Sequence, residues 1–63
     1  MPSLTERRQQ QIRTEIAEVA MRLFADRGFD AVTMDDVAGA AGASRRTVYR
    51  HFPTKSDLMF ERP

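Results

Sequence analysis

Apolar residues recur at steps of three and four along this chain, and helix start and stop signals divide the pattern into separate segments. From about Gln10 to Arg27 the pattern forms one face of an amphipathic helix. The apolar residues of this face are Ile12, Ile16, Val19, Ala20, Leu23 and Phe24. Gly28 supplies the left-handed residue that ends such a helix, and Phe29 is placed to pack back onto Phe24. No stretch alternates apolar and polar residues, so the pattern predicts an all-α fold.

Three further short helices are predicted from their N-cap residues, Thr33, Ser44 and Thr54. The acidic pair Asp35-Asp36 suits the dipole at the start of the first of these helices. That helix ends at the turn Gly42-Ala43, and the next ends near Phe52 because the residue before a proline disfavours the helical region. Two short helices joined by such a glycine-containing turn form a helix-turn-helix. The chain is therefore predicted to be a homeodomain-like three-helix bundle with a helix-turn-helix, followed by the start of a fourth helix.

Residues 1–9 are polar and are predicted to form a flexible N-terminal arm that carries Arg7 and Arg8. The spacing of Ser3 and Glu6 matches a capping box, which leaves open a helix that starts there instead. Residues 10–63 are predicted to form one helix-turn-helix domain, because a chain of 63 residues is too short to build a second core.

The composition limits the chemistry that this chain can perform. It contains no cysteine, and its one histidine, His51, has no second metal ligand at a suitable spacing. No nucleophile, base and acid lie at a credible spacing, and a cofactor pocket of ordinary size does not fit inside so small a domain. We expect no enzyme activity and no bound metal or cofactor. Since no apolar run reaches the roughly 18 residues of a membrane helix and the N-terminus is too polar for a signal peptide, we expect a cytoplasmic location.

The segment Ser44–Lys55 is basic, although the chain as a whole has a net charge of only +1. Its basic residues are Arg45, Arg46, Arg50 and Lys55, and no acidic residue lies between Asp36 and Asp57. The helix dipole disfavours cations in the first turn of a helix, where several of these residues fall. Cations at unfavourable positions indicate a surface that binds an anionic partner, and nucleic acid is the first candidate.

The third helix is predicted to separate apolar and basic residues onto opposite faces. At about 100° per residue, Val48 and Phe52 fall on one stripe, which is predicted to be buried. The opposite face, predicted to contact DNA, consists of Arg46, Thr47, Tyr49 and Arg50. Arginine matches O6 and N7 of guanine or a phosphate, and hydroxyl groups donate to phosphates. Arg45 falls near the buried stripe but reaches DNA if the helix enters the groove N-terminus first.

Other polar residues each have two interpretations. His51 flanks the predicted core and either contacts a phosphate or packs as a polar residue. Lys55 either binds a phosphate or only aids solubility, and Thr33 is an N-cap whose hydroxyl can also donate to a phosphate. Arg7 and Arg8 either enter an adjacent minor groove as an arm or are simply solvated.

A wider pattern runs from about Ile12 to Leu58. It consists of Phe24-Ala25-Asp26-Arg27-Gly28-Phe29, Thr33, Val37-Ala38, Ala41-Gly42, Ser44, Thr47-Val48-Tyr49, His51-Phe52, Lys55 and Leu58. This pattern resembles the DNA-binding domain of the tetracycline-repressor (TetR) family. The resemblance implies a homodimeric repressor that binds a palindromic operator. It also implies a C-terminal domain that dimerises and binds a small-molecule inducer, which these 63 residues do not include.

The resemblance implies roles for individual residues as well. The positions that grip phosphates in the family correspond to Thr33, Ser44, Tyr49, His51 and Lys55. The positions that read bases or the adjoining backbone correspond to Arg45, Arg46, Thr47 and Arg50. Arg46 departs from the family pattern, in which a small residue is frequent, and is therefore expected to alter the operator preference.

The sequence thus predicts a TetR-like transcriptional regulator that binds double-stranded DNA sequence-specifically, with residues 44–52 in the major groove. The alternative is a small helical interaction module that docks an acidic protein partner through the same basic face. A preference for one duplex sequence over others distinguishes the two hypotheses.

Overall fold

The computed structural model describes residues 3–60, which form four α-helices and contain no β-strand. The helices are α1 Leu4–Arg27, α2 Met34–Ala41, α3 Arg45–His51 and α4 Lys55–Met59. A 3₁₀ turn, Phe29–Ala31, joins α1 to α2. The predicted all-α class and the four helical segments are confirmed. The first two residues of the predicted arm and the last three of the predicted domain lie outside the described residues.

Helix α1 begins at Leu4, so the prediction of a flexible arm is wrong for residues 4–9. Ser3 is the N-cap: its hydroxyl accepts from the backbone N–H of Glu6 at 3.1 Å, and its own N–H donates to the Glu6 carboxylate at 3.1 Å. This reciprocal pair satisfies two backbone donors that would otherwise lack partners at the helix start. The capping box therefore extends the amphipathic helix into a polar segment that has no apolar face of its own.

Gly28 ends α1 as predicted, with a φ angle of 87° that disfavours side chains. Its N–H donates to the carbonyl of Phe24 at 2.8 Å. The Phe29 ring then packs back on the Phe24 ring with a centroid distance of 5.0 Å. The chain leaves α1 in a defined direction because both the backbone and this ring pair hold the turn.

The helix-turn-helix is formed by α2 and α3, and each helix has a side-chain cap. Thr33 accepts from the N–H of Asp36 at 3.0 Å, and the Asp36 carboxylate accepts from the N–H of Thr33 at 2.9 Å. Gly42 ends α2 in the left-handed conformation, with φ 68° and ψ 27°. Ser44 then caps α3 by accepting from the N–H of Thr47 at 3.1 Å. The predicted caps and turn are confirmed.

The core lies where α1 packs against α2, α3 and α4, and α2 also packs on α3. Its buried residues are Ile16, Ala17, Ala20, Phe24, Val32, Met34, Val37, Ala38, Val48, Phe52 and Leu58. No polar or charged residue among the described residues is buried. The centre of the bundle is thus held by apolar packing.

An open groove of about 770 Å³ runs between α1 and α4. It is lined by Thr14, Ala17, Glu18, Met21, Arg22, Leu58 and Met59. None of these residues belongs to the basic segment, so the groove and the predicted DNA-binding face are separate surfaces. Within the described part of the chain, no helix has the length and apolar character needed to cross a membrane.

Candidate nucleic-acid interface

Helix α3 divides into a buried face and an exposed face, as its sequence predicted. Val48 and Phe52 are 0% and 1% exposed, whereas Tyr49 is 44% exposed. Arg46 and Arg50 are exposed as well. Because α1 and α2 cover the apolar side, the two guanidinium groups and the tyrosine hydroxyl are left on the solvent side.

Arg46 and Arg50 have no hydrogen-bond or ion-pair partner among residues 3–60. Other arginines do have acidic partners: Arg27 lies 3.8 Å from the Asp36 carboxylate, and Arg45 lies 3.1 Å from that of Asp35. A guanidinium without an internal partner keeps all five N–H donors for a ligand. The exposed face of α3 therefore presents two complete donor sets to an anionic partner.

The hydroxyl groups at the start of α3 form a short chain of hydrogen bonds. The Ser44 hydroxyl donates to the Thr47 hydroxyl at 2.9 Å while it accepts from the backbone N–H of Thr47. The hydrogen of the Ser44 hydroxyl is therefore used internally. The Thr47 hydroxyl keeps its own hydrogen, which makes Thr47 the better donor of the two toward a phosphate.

Arg45 joins the two helices of the helix-turn-helix. Its Nε lies 3.1 Å from Oδ1 of Asp35, and both side chains are 65% exposed. The bond uses Nε and leaves the two terminal nitrogens of Arg45 available. Sequence reasoning assigned Asp35 only to the helix dipole, since nothing in the linear sequence shows that the starts of α2 and α3 lie side by side.

Thr33 and Asp36 form a polar pair at the start of α2. The two hydrogen bonds from Thr33, followed by the charge of Arg27, lower the pKa of the Asp36 carboxyl below its ordinary value of 3.8. Thr33 is exposed, and its hydroxyl accepts from the N–H of Asp36 and also stabilises the Asp36 carboxylate, so a phosphate would compete with Asp36 for this hydroxyl.

The side chain of Lys55 binds backbone groups of the segment between α1 and α2. Its ammonium group donates to the carbonyls of Phe29 at 2.7 Å and Val32 at 3.0 Å, and it lies 4.2 Å from the centre of the Phe29 ring. The residue is half-buried. In this structure Lys55 is therefore not a fully exposed solubilising charge. Its contact with a phosphate stays a prediction.

Sequence reasoning missed Arg13, which connects α1 to the end of α3. Its guanidinium donates to the carbonyl of His51 at 3.5 Å and lies 4.9 Å from the centre of the Phe52 ring. His51 itself is half-buried, which agrees better with a packed polar residue than with a fully outward one. The spacing of Arg13 along α1 gave no signal for this contact, because its partners are 38 residues away or more.

Arg7 and Arg8 are exposed on the first turns of α1 and do not belong to an extended arm. A rigid helix does not follow a minor groove in the way that a flexible arm does, so the predicted arm role is corrected for the described conformation.

The described residues, 3–60, contain no cluster of three or more histidine, aspartate or glutamate side chains that could hold a metal ion.

Residues 16–61 match the model of the family described as bacterial regulatory proteins, tetR family. The chain belongs to the TetR family. The match includes the helix-turn-helix and α4 and begins within α1. The predictions of family and fold are confirmed, and so is the prediction of function at the level of a DNA-binding transcriptional regulator.

Individual TetR-family relatives are similar over most of this chain. The HTH-type transcriptional regulator AcrR of Shigella flexneri is 39% identical over 61 residues, which cover 97% of this chain and 28% of AcrR. The HTH-type transcriptional repressor KstR2 of Rhodococcus jostii is 43% identical over 49 residues, or 78% of this chain and 24% of KstR2. The chain thus spans about a quarter of the length of these curated TetR-family relatives.

Proposed function

We propose that this chain binds double-stranded DNA sequence-specifically as the DNA-binding head of a TetR-family repressor, with α3 in the major groove. The observation that carries the proposal is the exposed pair Arg46 and Arg50. Both lie opposite the buried Val48 and Phe52, and neither has an internal partner among the described residues. An α-helix fits the width of the major groove, where base edges differ most between sequences.

Base reading is assigned to the arginines of α3. Arg46 and Arg50 have the planar donor geometry that matches O6 and N7 of a guanine. Arg45 contributes through its terminal nitrogens, since its Nε is bonded to Asp35. Thr47 offers a methyl group to a thymine or its hydroxyl hydrogen to the adjoining backbone.

Phosphate contacts are assigned to groups at the edge of this face. The hydroxyls of Thr33 and Tyr49 are exposed, and Ser44 lies beside Thr47 at the start of α3. At the other end of α3, the half-buried His51 is the candidate for a phosphate contact. Such contacts fix the orientation of a helix in the groove without reading the sequence themselves.

The finer parts of the proposal concern the whole regulator. Since the matched residues cover only 28% of AcrR and 24% of KstR2, we assign homodimerisation and inducer binding to a further domain, with a palindromic operator as the DNA partner. KstR2 is named a repressor, which supports repression over activation. The proposed regulator acts in the cytoplasm and is not an enzyme. No observation favours the docking of an acidic protein.

Selection of bound sequences from a random pool of duplexes, followed by titration of the recovered duplex, tests the proposal. Arg50→Ala and Arg46→Ala are each expected to weaken binding of that duplex by about 1–3 kcal/mol, with a much smaller effect on scrambled duplex. Arg22→Ala on α1 removes the same charge outside the proposed interface and is the matched control. Recovery of no preferred sequence, together with equal binding of heparin, would instead favour an acidic partner.

A further inference from the structure

The ammonium group of Lys55, at the start of α4, bridges two backbone carbonyls of the segment between α1 and α2. It donates to Phe29 and Val32, which are 26 and 23 residues away. The Phe29 ring covers it at 4.2 Å, an arrangement that favours a cation over a neutral donor. A half-buried lysine with two short hydrogen bonds and an aromatic face is held in one position, unlike a solvated surface lysine.

These two carbonyls define the segment between α1 and α2. The Phe29 carbonyl also accepts from the N–H of Val32 at 3.3 Å, which closes the 3₁₀ turn. Val32 is 1% exposed and directly precedes Thr33, the N-cap of α2. Lys55 therefore holds the backbone at the point where α2 begins.

The start of α2 in turn contacts the start of α3. Two residues after Thr33, Asp35 holds the Nε of Arg45 at 3.1 Å. A continuous set of contacts thus runs from Lys55 through Val32 and Thr33 to Asp35 and Arg45. Loss of the Lys55 hydrogen bonds would loosen the turn and change where Thr33 and Arg45 lie relative to the exposed face of α3.

We propose that Lys55 is a positioning residue for DNA binding, which acts by fixing the turn before α2 and not by contacting a phosphate. The inference rests on the proposed function, since it concerns the same DNA-binding face. It assigns to Lys55 a role that its charge and its place in the basic segment did not indicate. The two roles predict different salt dependence, because each phosphate contact that is lost lowers the slope of log K against log salt concentration by about 0.9.

The test compares Lys55→Met, which keeps the length of the stem but removes the donors and the charge, with the wild-type chain. Affinity for the selected duplex is measured over a series of salt concentrations. The positions of the Asp36 amide and Arg45 Nε–H signals are measured by NMR in the free protein. Arg46→Met removes a cation that the proposed function assigns to base reading and is the comparison, with a loss of affinity expected mainly for the selected duplex and much less for a scrambled one.

Lys55→Met is expected to weaken binding roughly three- to tenfold at every salt concentration with an unchanged slope, and to shift both NMR signals. Should this variant not fold, Lys55→Gln, which retains an amide donor, takes its place with a smaller loss of the same kind. A reduced slope with unshifted signals would overturn the inference in favour of a phosphate contact. A lower melting temperature with unchanged affinity and signals would overturn it in favour of a merely structural role.

The outcomes also separate this inference from the proposed function. If the wild-type chain does not bind duplex DNA in a salt-dependent way, the proposed function fails. If it binds, but Lys55→Met leaves the Asp36 and Arg45 signals unshifted, only the positioning role fails. Shifted signals with weakened binding at an unchanged slope support both.

Discussion

The basic residues of this chain divide into those that hold the fold and those that face solvent. Arg13 and Lys55 donate to backbone carbonyls and lie over the aromatic rings of Phe52 and Phe29. Arg46 and Arg50, by contrast, have no internal partner among residues 3–60. The charge of a residue therefore does not reveal its role, because an arginine or a lysine serves both purposes with the same donors.

The ion pair between Asp35 and Arg45 gives a prediction at this scale. Asp35→Asn is expected to change the free energy of unfolding by less than about 1 kcal/mol, because both partners are largely exposed. It is expected to raise affinity for scrambled duplex, since one negative charge near the DNA is removed. The preference for the selected duplex should fall, because Arg45 loses its orientation.

Chemical denaturation and titration of both duplexes measure these effects of Asp35→Asn. Asp26→Asn makes the same change of charge on α1 without a contact to Arg45, and should leave the ratio of the two affinities unchanged. An unchanged ratio in Asp35→Asn as well would show that the ion pair does not orient Arg45 for base reading.

At the scale of the elements, short helices are defined by their ends. Helices α2, α3 and α4 have only eight, seven and five residues, lengths at which an isolated helix is not stable in water. Each has a hydroxyl N-cap: Thr33, Ser44 and Thr54. Capping and packing on α1 together compensate for the small number of hydrogen bonds within each helix.

Ser44 gives a prediction for the helix that reads DNA. Ser44→Ala is expected to lower the free energy of unfolding by about 1 kcal/mol, because the N–H of Thr47 loses its acceptor. Ser44→Asn keeps a side-chain oxygen acceptor and is the control, with little loss expected because Asn is as favourable an N-cap as Ser. Urea denaturation followed by circular dichroism measures both. Equal losses in the two variants would argue against the capping bond as the cause.

Asp36 gives a prediction about acid. Its folded-state pKa lies below the ordinary value of 3.8, so its contribution to stability is complete above that value and is lost as the pH falls through the lower, folded-state pKa. Asp36→Asn should therefore be less stable than the wild type at pH 6, and the difference should shrink at pH values below about 4. Denaturation curves recorded across this range measure it. A difference that is independent of pH would mean that the charge of Asp36 does not contribute.

At the scale of the whole molecule, α1 is the element on which the others are assembled. It contacts α2, α3 and α4, and its Arg13 reaches the end of α3. A domain of this size rarely gains more than about 3–5 kcal/mol of net stability from its core. The position of the DNA-binding face therefore depends on a small number of fully buried side chains.

Leu58 gives a prediction at this scale, since it is 0% exposed and anchors α4 on the core. Leu58→Ala is expected to lower the free energy of unfolding by about 2–5 kcal/mol, which is enough to unfold much of the protein at 25 °C. Met59→Ala, at the adjacent and 45% exposed position, should lose less than about 1 kcal/mol. Thermal denaturation distinguishes them, and similar losses would contradict the packing of Leu58 and α4 on the core.

Local signals accounted for much of the fold and part of the interface. The caps Thr33, Ser44 and Thr54, the end of α1 at Gly28 and the two faces of α3 depend on residues within about four positions of one another. Sequence reasoning therefore predicted them. The arm at residues 1–9 was predicted wrongly for residues 4–9, although the Ser3–Glu6 pair that starts the helix is equally local. The prediction gave more weight to the lack of an apolar face in residues 1–9 than to this capping box.

Only the tertiary structure decided which cations serve the fold. The partners of Arg13, Lys55 and Arg45 lie 38, 23 to 26, and ten residues away, and belong to other elements or to the turn before α2. Helix periodicity says which side of its own helix a residue occupies, but not which carbonyl or carboxylate another element brings to that side. The sequence by itself determined the helices, their ends and the outward arginines of α3, because these follow from short-range geometry. The internal roles of Lys55 and Arg13 arose only when packing of the four helices brought distant groups within hydrogen-bonding distance.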